Sequence, residues 1–262
     1  MLQNYFKIAW RNLFKNKLFS FINIFGLALG IAVGLLLFVY IQQEWSYDKW
    51  IPQSENTYRF YRLWNGGASG KGSVVMPAVL AEATQELPEV ERVTRFFPGG
   101  ERLITAEDGT AIYISQVGRV DSLFLQTISL ELLQGNRSSA LNDKSAALVS
   151  ATTAQSLFGR TNVVGETIRV DDDEDFVIKG VLAEPSGESH LNQDIYLVEA
   201  DFSPYWTGAQ CSIYARLHPS AKDLGAINAK ITELANYHYV KEYEEDGDKV
   251  DPRSEEHTSE LQ

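Results

Sequence analysis

The stretch LFSFINIFGLALGIAVGLLLFVYI, residues 18–41, contains 24 residues and no charged side chain. As an α-helix it would be about 36 Å long, which is enough to cross a hydrocarbon core of about 30 Å with some tilt. The apolar run exceeds the ~7–15 residues of a signal-peptide core, and no small-x-small cleavage site follows it. The sequence therefore predicts that Leu18–Ile41 is a retained transmembrane helix.

The charge on the two sides of this helix differs in sign. Residues 1–17 carry four basic side chains and no acidic one, whereas the chain of 262 residues has a formal net charge of −12, so the part after the helix carries −16. The positive-inside rule then places the N-terminus in the cytoplasm and the residues after about 41 outside. The acidic balance disfavours nucleic acid as a partner, because phosphate binding needs clustered lysine and arginine.

Both flanks of the predicted membrane helix carry residues typical of a membrane interface. In residues 1–17, apolar side chains recur at helical spacing beside a row of cations, which suits either a cytoplasmic helix lying in the inner interface or an ordinary basic flank. On the outer side, aromatic residues stand where an interfacial belt is expected. The predicted interface residues are Lys7, Trp10, Arg11, Lys15 and Lys17 on the inner side and Trp45, Tyr47 and Trp50 on the outer side.

Three glycines inside the apolar stretch recur every four residues: Gly26, Gly30 and Gly34. This spacing stacks them on nearly one face of a helix, where the absence of side chains lets another helix approach closely. Glycine is also frequent in membrane helices without such a role. Three glycines in register favour a helix-packing face.

Residues 42–252 contain strand and helix patterns that alternate without a strict βαβ rhythm. The clearest unit is a buried strand at Ala146–Val149, followed by Ser150 as an N-cap, a helix at Ala151–Phe158 and Gly159 as its stop. These patterns predict an α+β extracytoplasmic domain in two small lobes, attached to one N-terminal transmembrane helix.

Two hairpins and one more helix are predicted in the same domain. Arg102–Ala106 and Ala111–Val117 flank a turn that contains glycine and predict one hairpin. The acidic run Asp171–Asp175 lies between two further strand patterns, and it lacks the glycine and the final glutamate of an EF-hand loop, so a solvated turn is favoured over a calcium site. Ala221–Tyr239 has the apolar spacing of an amphipathic helix.

The sequence contains no pattern of catalytic or metal-binding residues. His190 has a carboxylate four residues later, at Asp194, but GxSxG, HExxH and P-loop motifs are all absent. The single cysteine, Cys211, excludes an intramolecular disulfide and any Cys/His metal spacing. We therefore predict that the chain is not an enzyme and that it has no catalytic, cofactor-binding or metal residues.

Residues 253–262, RSEEHTSELQ, match the translation of a common sequencing-library adapter, in which AGATCGGAAGAG encodes Arg-Ser-Glu-Glu. We expect these ten residues to be read-through from the adapter. The natural protein is then expected to continue beyond about residue 252.

Several stretches, in this order and spacing, resemble one family. They are AWRNL at 9–13 with NKL at 16–18, LNDKSAALVS at 141–150, AQSLFG at 154–159, GETI at 165–168, VIKGV at 177–181 and Ser189–Asp194. Together, residues 1–252 resemble the first membrane helix and periplasmic core domain of ABC-transporter permeases of the MacB/FtsX-like type. The resemblance is to the Bacteroidota-type members in particular.

The resemblance implies a permease subunit of an ATP-driven ABC export or mechanotransmission system in the bacterial inner membrane. Antimicrobial-peptide or macrolide efflux and lipoprotein handling are the activities it suggests. It also implies a partner ABC ATPase, as a subunit or a domain, that binds ATP and Mg. A second permease copy in a homo- or heterodimer, and an envelope protein or peptide as substrate, are implied as well.

The resemblance further singles out Ser189, His190 and Asp194 as a family motif. In the family a second part follows, with three more membrane helices and a cytoplasmic coupling helix, whereas no second apolar run of about 18 residues follows Ile41. An alternative function is a single-pass membrane-anchored sensor or adaptor whose outer domain binds a ligand or a protein. An anchored envelope enzyme is disfavoured by the missing active-site motif.

Overall fold

A computed structural model describes residues 7, 10–11, 15, 17–64, 72–187, 189–206, 208, 210–245 and 257–261. The chain divides into two compact units, Met1–Tyr47 and Asp48–Gln262. The first unit contains one long helix, and the second contains a mixed sheet with helices packed on it.

Helix α1 spans Lys17–Ser46 and is about 45 Å long. Its first 26 residues, Lys17–Gln42, are apolar enough and long enough to cross a membrane, judged by length and composition. They include the whole of the predicted span Leu18–Ile41. Most of residues 1–17 lie outside the described part of the chain, so the interfacial helix stays a prediction.

The second unit is built from short elements. Its strands are β1 (Thr57–Trp64), β2 (Gly72–Ser73), β3 (Val90–Phe97), β4 (Arg102–Ala106), β5 (Ala111–Ile114), β6 (Val117–Val120), β7 (Leu132–Gly135), β8 (Ala146–Ser150), β9 (Thr167–Val170), β10 (Glu174–Leu182), β11 (Ile195–Val198), β12 (Ser212–Leu217) and β13 (His257–Leu261). Its helices are α2 (Val79–Gln85), α3 (Phe124–Thr127), α4 (Ala151–Phe158) and α5 (Leu224–Glu245).

These strands form one sheet in the order β13-β1-β12-β3-β6-β11-β8-β10-β9-β4-β5, with β2 paired to β1 and β7 paired to β10. Most neighbours are antiparallel, and two pairs, β10 with β8 and β11 with β6, are parallel. The two predicted lobes therefore share one continuous sheet. The predicted α+β class is confirmed.

The unit formed by β8 and α4 follows the sequence prediction closely. All five residues of β8 are buried. The Ser150 hydroxyl accepts a hydrogen bond from the Thr153 N–H at 3.1 Å, which caps α4. Gly159 ends the helix with φ at 66°, in the left-handed region that glycine adopts without strain. Local signals thus determine this part of the fold.

The predicted strand Ala111–Val117 is wrong, because it contains the ends of two strands. β5 stops at Ile114, and β6 begins at Val117 and pairs with β3 and β11 instead of β4. The Gln116 carbonyl accepts hydrogen bonds from the N–H groups of Asp194 at 2.9 Å and Ile195 at 3.2 Å. These bonds draw the chain away from β4 at that point.

The predicted strand Arg102–Ala106 has the bounds of β4, whereas two other predicted elements differ at their ends. Helix α5 continues to Glu245, beyond the predicted end at Tyr239, and its buried side includes Ile227 and Ile231. The acidic turn is shorter than predicted, since β10 begins at Glu174. β13 pairs antiparallel with β1 and lies in the ten residues that the sequence assigns to adapter read-through.

Candidate functional site

The second unit begins with a tight turn. The Ile51 N–H donates to the Asp48 carbonyl at 3.1 Å, and Asp48 and Gln53 both have left-handed backbones, with φ of 59° and 64°. A left-handed conformation is uncommon for residues other than glycine, and aspartate is one of those that tolerate it best. The turn fixes the direction in which the chain enters β1.

The Asp48 side chain joins this turn to strand β12 of the sheet through His190. His190 Nδ1 lies 3.3 Å from Asp48 Oδ2, and His190 Nε2 is hydrogen-bonded to the Tyr214 hydroxyl in β12. The His190 and Tyr214 rings also stack, with centroids 5.6 Å apart and planes 20° from parallel. The imidazole therefore bridges the two side chains, with Nδ1 facing the carboxylate and Nε2 facing the hydroxyl. We call Asp48, His190 and Tyr214 the joint.

Electrostatics favour the ionised form of Asp48. Burial raises its pKa, but hydrogen bonds from His190 and Ser189 and the nearby charges of His190 and Arg59 lower it, and the net pKa is below the ordinary value of 3.8. At neutral pH Asp48 is therefore a carboxylate that accepts hydrogen bonds from the loop containing residues 189 and 190. The joint is half-buried, with the His190 and Asp48 side chains 27% and 33% exposed.

The loop that carries His190 is held by its own hydrogen bonds. The Ser189 hydroxyl accepts from the Leu191 N–H at 3.0 Å, and the Asn192 side chain donates to the Gly187 carbonyl at 3.0 Å. The buried Tyr196 hydroxyl donates to the Leu191 carbonyl, and burial raises the pKa of this phenol well above its usual range. These hydrogen bonds therefore hold the loop that positions the His190 imidazole.

The structure brings two of the three family-motif residues to the joint. Ser189 and His190 both interact with Asp48. Asp194 instead uses its backbone, since its N–H donates to Gln116 and its carbonyl accepts from the Ser150 N–H at 2.8 Å. Burial, together with the nearby Glu184, raises the pKa of the Asp194 carboxyl. The spacing in the sequence points to Asp194 as the carboxylate near His190, whereas the partner in the structure is Asp48.

Trp50 packs within the second unit. A Cβ added at Gly187 would lie 2.7 Å from the Trp50 ring, so only glycine leaves room for the indole there. Trp50 and Pro52 also line a cavity of about 120 Å³ beside Leu182 and Tyr196. The cavity has room for about four waters and is smaller than the ~300 Å³ of typical ligand pockets. This region is therefore built as a junction between chain segments.

The other predicted site residues lie in the first unit or close to its end. Lys7, Trp10, Arg11 and Lys15 have helical backbones and exposed side chains, and Lys17, Trp45 and Tyr47 are also exposed. A Cβ added at Gly26, Gly30 or Gly34 would meet nothing within 4 Å. Their helix-packing and interface roles remain predictions.

The described residues contain no group of three or more His, Cys, Asp or Glu side chains that could hold a metal ion. In the acidic turn, Asp171 lies 3.5 Å from Arg102, and Asp175 lies 2.7 Å from Arg169. Cys211 is buried, and burial raises the pKa of its thiol to about 12. The acidic turn is therefore an exposed turn, and the buried Cys211 thiol is unreactive.

Comparisons with known proteins identify related domains. The sequence model of the MacB-like periplasmic core domain matches residues 20–234. Among proteins with curated descriptions, none matches the chain. A domain of a putative permease protein from Porphyromonas gingivalis is 22% identical, with a TM-score of 0.65, over 81% of this chain and 91% of that chain.

Two further solved structures share the fold. The periplasmic region of MacB from Actinobacillus actinomycetemcomitans is 13% identical, with a TM-score of 0.51, over 79% of this chain and 88% of that chain. The extracellular domain of the noncanonic ABC-type transporter YknZ from Gram-positive bacteria is 14% identical, with a TM-score of 0.52, over 79% of this chain and 100% of that chain. At these identities the likeness is one of fold.

Proposed function

The chain belongs to the family of MacB-like periplasmic core domains, and on that premise we propose that it is the N-terminal half of a permease subunit of an ABC transporter. The family is a component of membrane permeases and not itself a catalytic enzyme. The chain is anchored by one apolar N-terminal helix and carries an extracytoplasmic domain. In this proposal the N-terminus is cytoplasmic, and a partner ATPase binds ATP and Mg.

The joint is the observation that carries a mechanical function for this chain. The first residue of the second unit, Asp48, directly follows Tyr47, the last residue of the helical unit. Through His190, Asp48 is connected to Tyr214 in β12, which pairs with both β1 and β3. A displacement of the residues that follow the membrane helix would therefore be passed to β12 and its two neighbouring strands as well as along the backbone.

The strength of the joint suits such a role. A hydrogen bond to a charged group contributes about 1.5–3 kcal/mol, and the lower end is expected here because both side chains are about one-third exposed. A link of this size holds the turn in place without making the domain depend on it for folding. We propose that it transmits motion driven by ATP hydrolysis to the extracytoplasmic domain.

The substrate and assembly follow from the same proposal. Antimicrobial-peptide or macrolide efflux and lipoprotein handling are its two candidate activities. The glycine face at Gly26, Gly30 and Gly34 would pack against other permease helices, and a second permease copy would complete the pair.

The test uses the full-length permease with its ATPase in lipid nanodiscs. A spin label on Gln155→Cys, an exposed position in α4, reports the distance between the two paired domains with and without ATP and vanadate. Asp48→Asn and His190→Gln should each reduce the nucleotide-dependent distance change by at least half, while the domain still unfolds cooperatively. The matched control, Asp173→Asn, replaces an exposed carboxylate and should change nothing.

The opposite results are equally informative. A full distance change in the Asp48→Asn/His190→Gln double variant would show that the joint does not transmit motion. A full-length protein that does not associate with an ABC ATPase would favour the single-pass sensor or adaptor.

A further inference from the structure

Strand β5 is the last strand at one end of the sheet. Its pairing with β4 is antiparallel and joins Ile104 to Ile112. The Ala106 N–H donates to the Thr110 carbonyl at 2.8 Å, which makes this a hydrogen-bonded pair. Hydrogen-bonded and non-hydrogen-bonded pairs alternate along an antiparallel ladder. Ile104 and Ile112 are therefore also a hydrogen-bonded pair.

The same alternation fixes the direction of the intervening backbone groups. The N–H and C=O groups of Ala111 and Tyr113 point away from β4, toward the outer edge of the sheet. The neighbouring strand agrees with this register, because Leu103, opposite Tyr113, turns its carbonyl to the Asp171 N–H at 2.9 Å on the far side. Within residues 72–187, which are described without a gap, no strand lies beyond β5.

The side chains of β5 divide between the two faces of the sheet. Ile114 is buried and Ile112 is partly buried in the core beneath β4 and β9, so they hold the strand in place. Ala111 and Tyr113 lie on the other face, where Tyr113 is 70% exposed. An exposed aromatic residue on a terminal strand offers a surface on which an added strand could pack.

The surroundings of this edge are acidic. Exposed carboxylates flank β4 and β5 and occupy the adjacent β9–β10 turn: Glu101, Glu107, Asp108, Asp171, Asp172 and Asp173. The two cations on β4, β5 and β9 are already paired, since Arg102 lies 3.5 Å from Asp171 and Arg169 lies 2.7 Å from Asp175. The uncompensated charge around the edge is therefore negative.

We propose that the outer edge of β5 binds an extended basic segment of a partner protein, which adds a strand to the sheet. The backbone groups of Ala111 and Tyr113 would supply the hydrogen bonds, and the acidic surroundings would select lysine or arginine in the added strand. A second copy of this chain is disfavoured as the occupant, because two such edges would bring like charges together. This inference goes beyond the proposed transport function and does not depend on the joint.

The substitution Tyr113→Pro tests binding at the outer edge of β5 without disturbing the fold. The Tyr113 N–H points away from β4, so Tyr113→Pro removes an outward donor and leaves the pairing with β4 intact. The matched control is Tyr113→Thr, which also removes the aromatic ring but keeps the N–H. Asp172→Asn/Asp173→Asn tests the charge, at exposed positions of the turn.

The probe is a heptapeptide of alternating lysine and valine, titrated against the full chain in lipid nanodiscs. Its acidic analogue, with glutamate in place of lysine, serves as the comparison. Amide hydrogen exchange measured by NMR should show protection of Ala111 and Tyr113 on binding. Tyr113→Pro should weaken binding about fivefold relative to Tyr113→Thr, the effect of one lost hydrogen bond. Asp172→Asn/Asp173→Asn should weaken peptide binding, and the loss should be larger at low salt than at high salt.

Four results would overturn the proposal. The first is equal binding to the proline and threonine variants, which would indicate charge attraction alone. The second is equal binding of the acidic analogue. The third is no binding of either peptide, in which case the charges only protect the edge from aggregation. The fourth is a dimer of the chain that forms without peptide and that Tyr113→Pro converts to monomers. None of these results bears on the transmission of motion through the joint.

Discussion

Asp121, which follows β6 in the middle of the sheet, and Asp48, at the start of the domain, both bind side chains from distant parts of the chain. Asp121 is 6% exposed and accepts hydrogen bonds from the Thr94 hydroxyl, the Arg95 N–H at 3.0 Å and the Leu123 N–H at 3.1 Å. The Arg95 guanidinium lies 3.5 Å from it. Asp48 instead depends on one half-buried imidazole and a serine.

The difference indicates what each site is for. A buried carboxylate with several fixed donors cannot release them without exposing unpaired polar groups, so Asp121 holds β3 and the loop that follows β6 in one arrangement. A half-exposed carboxylate can be rehydrated when its partner moves away. The Asp121 site therefore stabilises the domain, whereas the joint is suited to shift its position.

The largest expected effect comes from breaking the buried site. Asp121→Ala leaves three donors without their acceptor and leaves the buried Arg95 guanidinium with only the exposed Glu82 carboxylate, 3.0 Å away. It should lower the free energy of unfolding by about 3–5 kcal/mol. His190→Gln should lower it by only about 1–2 kcal/mol, because the joint is partly hydrated. Urea unfolding followed by tryptophan fluorescence measures both, with Asp173→Ala as an exposed control that should stay close to the wild type.

The comparison would fail if the two losses were equal. An Asp121→Ala loss below about 1 kcal/mol would mean that water or a rotated side chain replaces the carboxylate, and the site would then not be rigid. A His190→Gln loss above about 3 kcal/mol would make the joint a structural element and argue against its movement.

A smaller effect is expected from pH, and its direction is opposite for Asp121 and Asp48. Burial raises the pKa of Asp121, and its hydrogen bonds and Arg95 only partly offset this, so its contribution to stability increases as pH falls through the raised value. The pKa of Asp48 is below 3.8 in the folded domain. Its contribution is therefore complete above the unfolded value and is lost as pH falls from about 3.8 through the folded pKa.

Asp48→Asn should remove the second of these contributions. We expect the variant to be less stable than the wild type at pH about 7, and the difference should shrink as the pH falls below about 4. Unfolding free energies measured over this range give the result. A difference that stays constant with pH would show that Asp48 is not ionised in the joint, and its pairing with His190 would then need another explanation.

Local sequence signals predicted much of the fold. The cap at Ser150, the stop at Gly159 and the helix between them depend on residues within ten positions of one another, so their spacing is visible in the sequence. The break between β5 and β6 was missed, because the strand pattern continues through Gln116 and the bonds that divert the chain come from Asp194 and Ile195.

The joint was missed for the same reason. His190 and Tyr214 are 24 positions apart, and Asp48 is much further away in sequence, so no spacing rule connects them. The resemblance to the family marked Ser189 and His190, while Asp194 stood nearer in sequence than the true partner. Only the fold, which returns β12 to the side of β1, brings the three side chains together.

The smallest effect on the domain is expected from Gly30→Leu, which changes the first unit alone. A leucine there fills the surface on which another helix would pack, so crosslinking between paired full-length permeases should fall severalfold while the unfolding of the domain is unchanged. Ala32→Leu is the matched control, because at 100° per residue Ala32 lies about 200° from Gly30 on the opposite side of the helix. Unchanged crosslinking in Gly30→Leu, or an equal fall in Ala32→Leu, would show that the glycine face does not hold the pair together. Pairing of the permeases through the membrane helix would then have to depend on another surface of α1.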